Sequence, residues 1–194
     1  MNHSADIEIL RNDALRKIGR NVVNFQKVEA CLKYLIAISD VQGAPQEIVA
    51  DHEKKKARLR RQPMGSLAKA FFESVYGTES GPSPPLDCST IWLSTSFRVE
   101  VDASTSKERR RTLAALVTER NNLIHKELSG FDHNSVSSCN NLIAILDVQN
   151  LRILRELEEL RILIDAFKEH IAALRQWADD EGRNPLSHHA SNDA

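Results

Sequence analysis

The sequence predicts an all-α fold, and three observations carry that prediction. Aromatic residues make up only 5% of the chain while leucine, isoleucine and alanine are plentiful, a balance that favours helix over sheet. Ile18, Val22, Phe25, Val28, Leu32 and Leu35 recur at steps of three and four, which lines them up on one helical stripe. Leu146, Ile153, Leu160, Phe167 and Leu174 fall seven apart, with Leu157, Ile164 and Ile171 between them, so a second long helix closes the chain. The 194 residues suit one domain, 1–181, with a core that needs neither disulfide nor metal. The polar stretch 182–194 is expected to be a disordered tail.

The first helix is expected from about Asp6 to Ser39, broken by Gly43-Ala44-Pro45. Pro45 then opens a second helix reaching about Arg61. After Pro63 and Gly65, Ser66 caps a short helix through Leu67, Phe71, Phe72 and Val75, ending near Gly77. Thr78 to Pro85 reads as loop. Phe97, Val99 and Val101 alternate with Arg98 and Glu100, the period of a short strand, and Ile91-Trp92-Leu93 could pair with it as a hairpin. Thr105 and Glu108 form a capping box for a helix running to about Leu128. Past Gly130, Asn134 or Ser135 caps the final helix, which runs to about Asp180 with Arg152–Glu156 and Arg155–Glu159 as polar pairs outside. A helix that long leaves apolar surface over. It either pairs antiparallel with the first helix along its whole length or presents a dimer face.

Composition excludes several classes of protein. No apolar run is long enough for a bilayer span and no secretory pattern opens the chain, so a cytoplasmic location without membrane attachment is expected. Cys31, Cys88 and Cys139 form no CxxC pair and read as buried, reduced thiols. With no ligand spacing, phosphate loop or nucleophile triad, neither metal nor cofactor is expected. His188-His189 have no third ligand, and Trp92 and Trp177 read as packing residues. The net charge of -1 announces no basic field. Charge is nonetheless uneven: Lys54, Lys55, Lys56, Arg58, Arg60 and Arg61 crowd one stretch, and Arg109, Arg110 and Arg111 another. Such runs usually form solvated helix faces; together with Lys126 they are also the candidates for RNA-phosphate contacts.

Chemistry concentrates in Glu119-Arg120-Asn121-Asn122-Leu123-Ile124-His125-Lys126. On an α-helix Asn121 and His125 share a face, whereas Arg120 and His125 stand about 140° apart. That separation hints at a site composed from two copies of the helix. Imidazole titrates near neutrality and can move the proton of a ribose hydroxyl. Guanidinium forks onto phosphate and stabilises charge that grows on it. An amide at Asn121 can fix either group. Asn21, Asn24 and Glu29 interrupt the first stripe and could face the same cleft, although local capping or solvent exposure is the simpler reading.

Arg120–Asn121–Asn122–Leu123–Ile124–His125 resembles the active-site motif of HEPN-type ribonucleases: arginine, a polar residue directly after it, and histidine four to six residues on. The resemblance covers these six residues closely and the helical layout loosely. It implies a HEPN-like four-helix bundle; the long first and last helices and the small inserted loop or β-hairpin around residues 78–103 are read from the sequence itself, and a minimal HEPN domain does not explain that insertion. The resemblance also implies a metal-independent endoribonuclease leaving a 2′,3′-cyclic phosphate, with Arg120, Asn121 and His125 catalytic. RNA, a second copy of the chain and a cognate antitoxin would be its partners, in a prokaryotic toxin or phage-defence setting. A subset of the family carries a tyrosine two residues after the histidine, the target of an adenylylating antitoxin; here Glu127 stands there. The alternative is a non-catalytic helical module that binds RNA, a nucleotide or a protein.

Overall fold

The stripe on the first helix is what buries it: Val28, Leu32 and Leu35 are almost wholly shielded, against Leu67 and Phe71 of a later helix and Leu146, Ile153 and Leu160 of the last. Each such side chain contributes about 1.5–3 kcal/mol. The computed structural model describes residues 3–76 and 92–183. Along the chain run α1 (His3–Ser39), β1 (Asp40–Gly43), α2 (Pro45–Arg60), α3 (Met64–Val75), β2 (Leu93–Ser96) and α4 (Ala103–Asn122). A π-helical turn (Leu123–Glu127), one closing turn α5 (Leu128–Gly130) and α6 (Val136–Arg183) complete it. The all-α expectation therefore holds, with one small two-stranded sheet attached.

Helix directions alternate. Lys33 Nζ donates to the Arg60 carbonyl and Lys55 Nζ to that of Asp40, so α2 runs back along α1. The Val99 N–H bonds the Val75 carbonyl and the Phe97 N–H bonds that of Ser39, which returns α3 to the end where α1 finishes. Gly65 of α3 lies against Val117 of α4, and Phe72 beneath Arg110, so α4 descends. Arg109 meets Glu156 and Glu119 meets Arg152, so α6 ascends again.

That alternation excludes an antiparallel pairing of the first and last helices, one of the two arrangements the sequence leaves open. Lys17 bonds Asp147, Asn21 bonds Gln149 and Asn24 bonds Asn150, so partner numbers rise together. Phe97, tied to Ser39, packs edge-on against Phe167 and extends the same offset to the far end. α1 and α6 are parallel because three helices, and hence an even number of reversals, separate them.

Several local expectations are also corrected. The strand lies at Leu93–Ser96, ahead of the alternating Phe97–Val101, and its antiparallel partner is β1 after α1, with Asp40 opposite Ser96 and Gly43 opposite Leu93. Phe97 and Val99 turn their side chains onto the core instead. Gly43 has φ 145°, open to glycine, and ends β1 just before Pro45. α3 starts from Pro63 rather than Ser66. α4 is capped by Asp102, whose carboxylate accepts from the Ser104 and Thr105 N–H groups, so Thr105 is capped rather than capping. Helix continues through Gly182 and Arg183, where the tail was expected to begin. Glu156 and Arg152 do not pair outside; each turns to α4. Trp177 is 64% exposed, so it is not a packing residue. Cys139 is buried and Cys31 half-buried, both free. Gly77, most of the loop and hairpin segment including Ile91, Cys88 and His188-His189 lie outside the described residues. Among the described residues no helix is long and apolar enough to cross a membrane.

Candidate functional site

The helix carrying the motif does not stay α-helical. At Leu123 the ladder widens: the Leu128 N–H bonds the Leu123 carbonyl five residues back, and the widened turn spans Leu123–Glu127 with His125 at its centre. Single π turns inside α-helices recur at functional sites. Two local features support this one. Leu123, 1% exposed, anchors the turn in the core. The Ser129 hydroxyl lies 3.0 Å from the His125 carbonyl and 2.9 Å from that of Lys126, an extra tie on the backbone of the wide turn. A π turn advances fewer degrees per residue than an α turn. It therefore narrows the angle between Arg120 and His125 that an unbroken helix would impose.

Arg120 is half-buried and its Nη1 donates to Asn121 Oδ1 at 3.2 Å, while Asn121 and His125 are exposed. Among the described residues Arg120 has no carboxylate partner and the His125 ring no hydrogen bond. The motif thus presents a guanidinium aligned by its neighbouring amide, and an imidazole open to solvent. Within one chain these groups are mounted on one segment.

The backbone just ahead of Arg120 is held from the interior. Asn21 is fully buried, and its Nδ2 donates to the Leu146 carbonyl at 2.8 Å and to Gln149 Oε1 at 2.9 Å. Gln149 Nε2 in turn reaches the Glu119 carbonyl at 3.4 Å. This chain of amides ties α1, α6 and α4 together one residue before the motif. Asn24 bonds Asn150 in the same seam, so neither asparagine is the solvent-facing or locally capping residue its sequence position suggested. Glu29 pairs with Lys33 and takes no part. Glu119 bonds Arg152 through Oε1 at 2.7 Å, whereas its Oε2 is buried without a hydrogen-bond partner.

The basic residues named from sequence separate into three environments. On α2, Lys54 pairs with Asp51 and Lys56 with Glu53, Lys55 bonds the Asp40 carbonyl, and Arg58 is exposed. Burial pushes the Lys55 ammonium below its ordinary range. Asp40 lies beyond Asn21 along α1 by about 28 Å of helix axis, so this cluster sits far from the motif. Arg109 forks onto Glu156 at 2.8 and 3.0 Å beneath a charged groove of about 480 Å³ between α4 and α6. Burial raises the Glu156 carboxyl, with Arg109 working against it. Arg110, one residue on, lies over the Phe72 ring at 4.7 Å on the opposite flank of α4. Lys126 is exposed beside His125.

Arg120, Asn121 and His125 stand out in the sequence as candidates, whereas Gln149, Ser129 and the π turn do not. Ser129, four residues after His125, is the one with a legible signal, because a hydroxyl at that spacing can bond a backbone carbonyl of the preceding turn. The chain matches no protein-family model, no curated protein and no solved structure.

Proposed function

We propose that the protein is a HEPN-type endoribonuclease that cleaves single-stranded RNA through Arg120, Asn121 and His125. The observation that supports this reading best is the π turn centred on an exposed His125, a few residues after a guanidinium that bonds the Asn121 amide oxygen. α1, α3, α4 and α6 would be the four helices of the HEPN bundle, with α2 and the small sheet as additions.

The chemistry needs only proton movement and charge stabilisation. The 2′-oxygen attacks the adjacent phosphorus, the P–O5′ bond breaks, and the 2′-hydroxyl proton is delivered in effect to the departing 5′-oxygen. The products are a 2′,3′-cyclic phosphate and a 5′-hydroxyl. His125 moves the proton and Arg120 stabilises the extra negative charge on the phosphate oxygens. Two copies of the chain with their motif helices facing would supply the second Arg–His pair. A toxin or phage-defence role follows from the resemblance, with Glu127 placing any antitoxin outside the tyrosine-modifying type.

The test is cleavage of several unstructured RNAs in EDTA by wild type and His125→Ala. Cleavage by wild type, cyclic-phosphate ends, and a loss of at least about 100-fold in the variant are expected. Equal cleavage by both, or none by either, would instead favour the non-catalytic binding module.

A further inference from the structure

Resting on that reading, we infer that the groove between α3 and α4 is the track along which the RNA strand reaches the motif. The groove holds about 310 Å³ and is walled by Gly65, Ala68 and Lys69 on one side and Arg110, Ala114 and Val117 on the other. Arg110, Ala114, Val117, Asn121 and His125 follow one another at steps of four, three, four and four, so the α4 wall of the groove runs on into the motif. From Arg110 to Asn121 that wall is about 16 Å long. The strand would therefore lie along the helix, with its scissile phosphate at the π turn and neighbouring phosphates upstream.

Charge selects the occupant. Arg110 and Lys69 are the charged residues of this lining, and none of the described lining residues is acidic. Lys69 is 78% exposed and its nearest carboxylate, Glu73, stands 3.8 Å away and is itself exposed, so water and salt hold that pair loosely. Arg110 stacks on Phe72, which orients its guanidinium without neutralising it. The companion groove between α4 and α6 differs. There Arg111, Arg152 and Arg155 are interleaved with Glu108, Glu119 and Glu159, so that lining carries no net positive charge to draw a phosphate chain. Of the basic run 109–111, it is therefore Arg110 that is set to meet phosphate, while Arg109 is committed to Glu156.

The probe is a 2′-O-methylated single-stranded RNA, which lacks the nucleophile and so reports binding without cleavage. Affinity is measured across a salt series for wild type, Lys69→Ala and Arg110→Leu; leucine keeps apolar contact with Phe72. Each substitution is expected to weaken binding about three- to tenfold and to reduce the slope of log affinity against log salt by about 0.7, the value for one lost phosphate contact on a single strand. Binding unchanged in both variants, or no binding by wild type, overturns the groove as the track. The outcomes separate from those for catalysis. Weakened binding in these variants with no cleavage of ordinary RNA by wild type keeps the groove and removes the nuclease. Full cleavage with unchanged binding does the reverse.

Discussion

Replacing Arg109 with methionine removes the hydrogen-bonded partner that Glu156 has among the described residues, and the carboxylate it strands is only 1% exposed. A carboxylate so placed cannot remain charged without solvation and takes up a proton instead. For a glutamate with an ordinary pKa of about 4.3, protonation at pH 7 costs about 3.7 kcal/mol, within the range measured when one member of a buried ion pair is removed. The cost has a pH signature. In the variant the folded state holds the Glu156 proton more tightly than the unfolded chain does, so its contribution is restored as pH falls toward the unfolded value and lost as pH rises. The stability gap to wild type should therefore shrink by about 1.4 kcal/mol for each pH unit between 7 and 5. Urea unfolding followed by far-ultraviolet circular dichroism at pH 7, 6 and 5 measures it. Arg109→Met/Glu156→Leu should recover most of the loss, because no charge is then stranded. A gap below about 1 kcal/mol, or one that is the same at pH 5 as at pH 7, would show instead that the carboxylate reaches water and is not stranded.

Three further outcomes follow from the same packing. Asn21→Leu leaves Gln149 Oε1 without the donor it has among the described residues, while the Leu146 carbonyl keeps Arg20 Nη2, and should cost about 1–3 kcal/mol in urea unfolding. Because Gln149 also holds the Glu119 carbonyl, Asn21→Leu should lower RNA cleavage at temperatures where the variant is fully folded; unchanged turnover would separate the amide seam from the motif. Asp147, held down chiefly by its bond from Lys17, and Asp102, held down by the Ser104 and Thr105 groups it caps, both have depressed carboxyl pKa values. Their stabilisation is complete above the unfolded value and disappears as pH falls through the folded one, so wild type should lose stability on acidification below about pH 4 and Asp147→Asn less steeply. Ser129→Ala removes the hydroxyl beneath the His125 and Lys126 carbonyls and should raise amide hydrogen exchange within 123–128 without lowering the global midpoint noticeably.

Much of this architecture was legible because helices announce themselves by period. Val28, Leu32, Leu35, Leu146, Ile153 and Leu160 lie on the periodic stripes of the sequence, and all are buried in the core. The same heptad overreaches at Leu174, 40% exposed, because α6 continues past the point where Ser39 and Phe97 mark the end of α1 beside Phe167. Strand position was not legible. β1 is Asp-Val-Gln-Gly and β2 Leu-Ser-Thr-Ser, polar pairs with no alternation to read, while the segment that does alternate packs as extended chain against the core. Glu156 looked like a surface residue because the i,i+4 partner Arg152 was at hand; only the approach of α4 reveals a better one in Arg109. At the motif, the identities of Arg120, Asn121 and His125 could be read. The π turn could not, since nothing in Leu-Ile-His-Lys-Glu distinguishes a wide turn from an ordinary one until Leu123 is fixed in the core.

The parallel seating of α6 on α1 also governs when the protein can fold. Its seam joins Lys17 to Asp147 and Asn21 to Gln149, contacts 130 and 128 residues apart, so the principal interface is almost entirely non-local. At about 5–20 residues per second of synthesis, roughly 6–25 s separate the appearance of α1 from that of the α6 residues that cover it. During that interval the Val28–Leu35 stripe has only α2 and α3 for shelter, and the motif helix has no interior amide to hold it. Until the ribosome has delivered α6, the nascent chain would carry Arg120 and His125 without the interior seam that holds their helix.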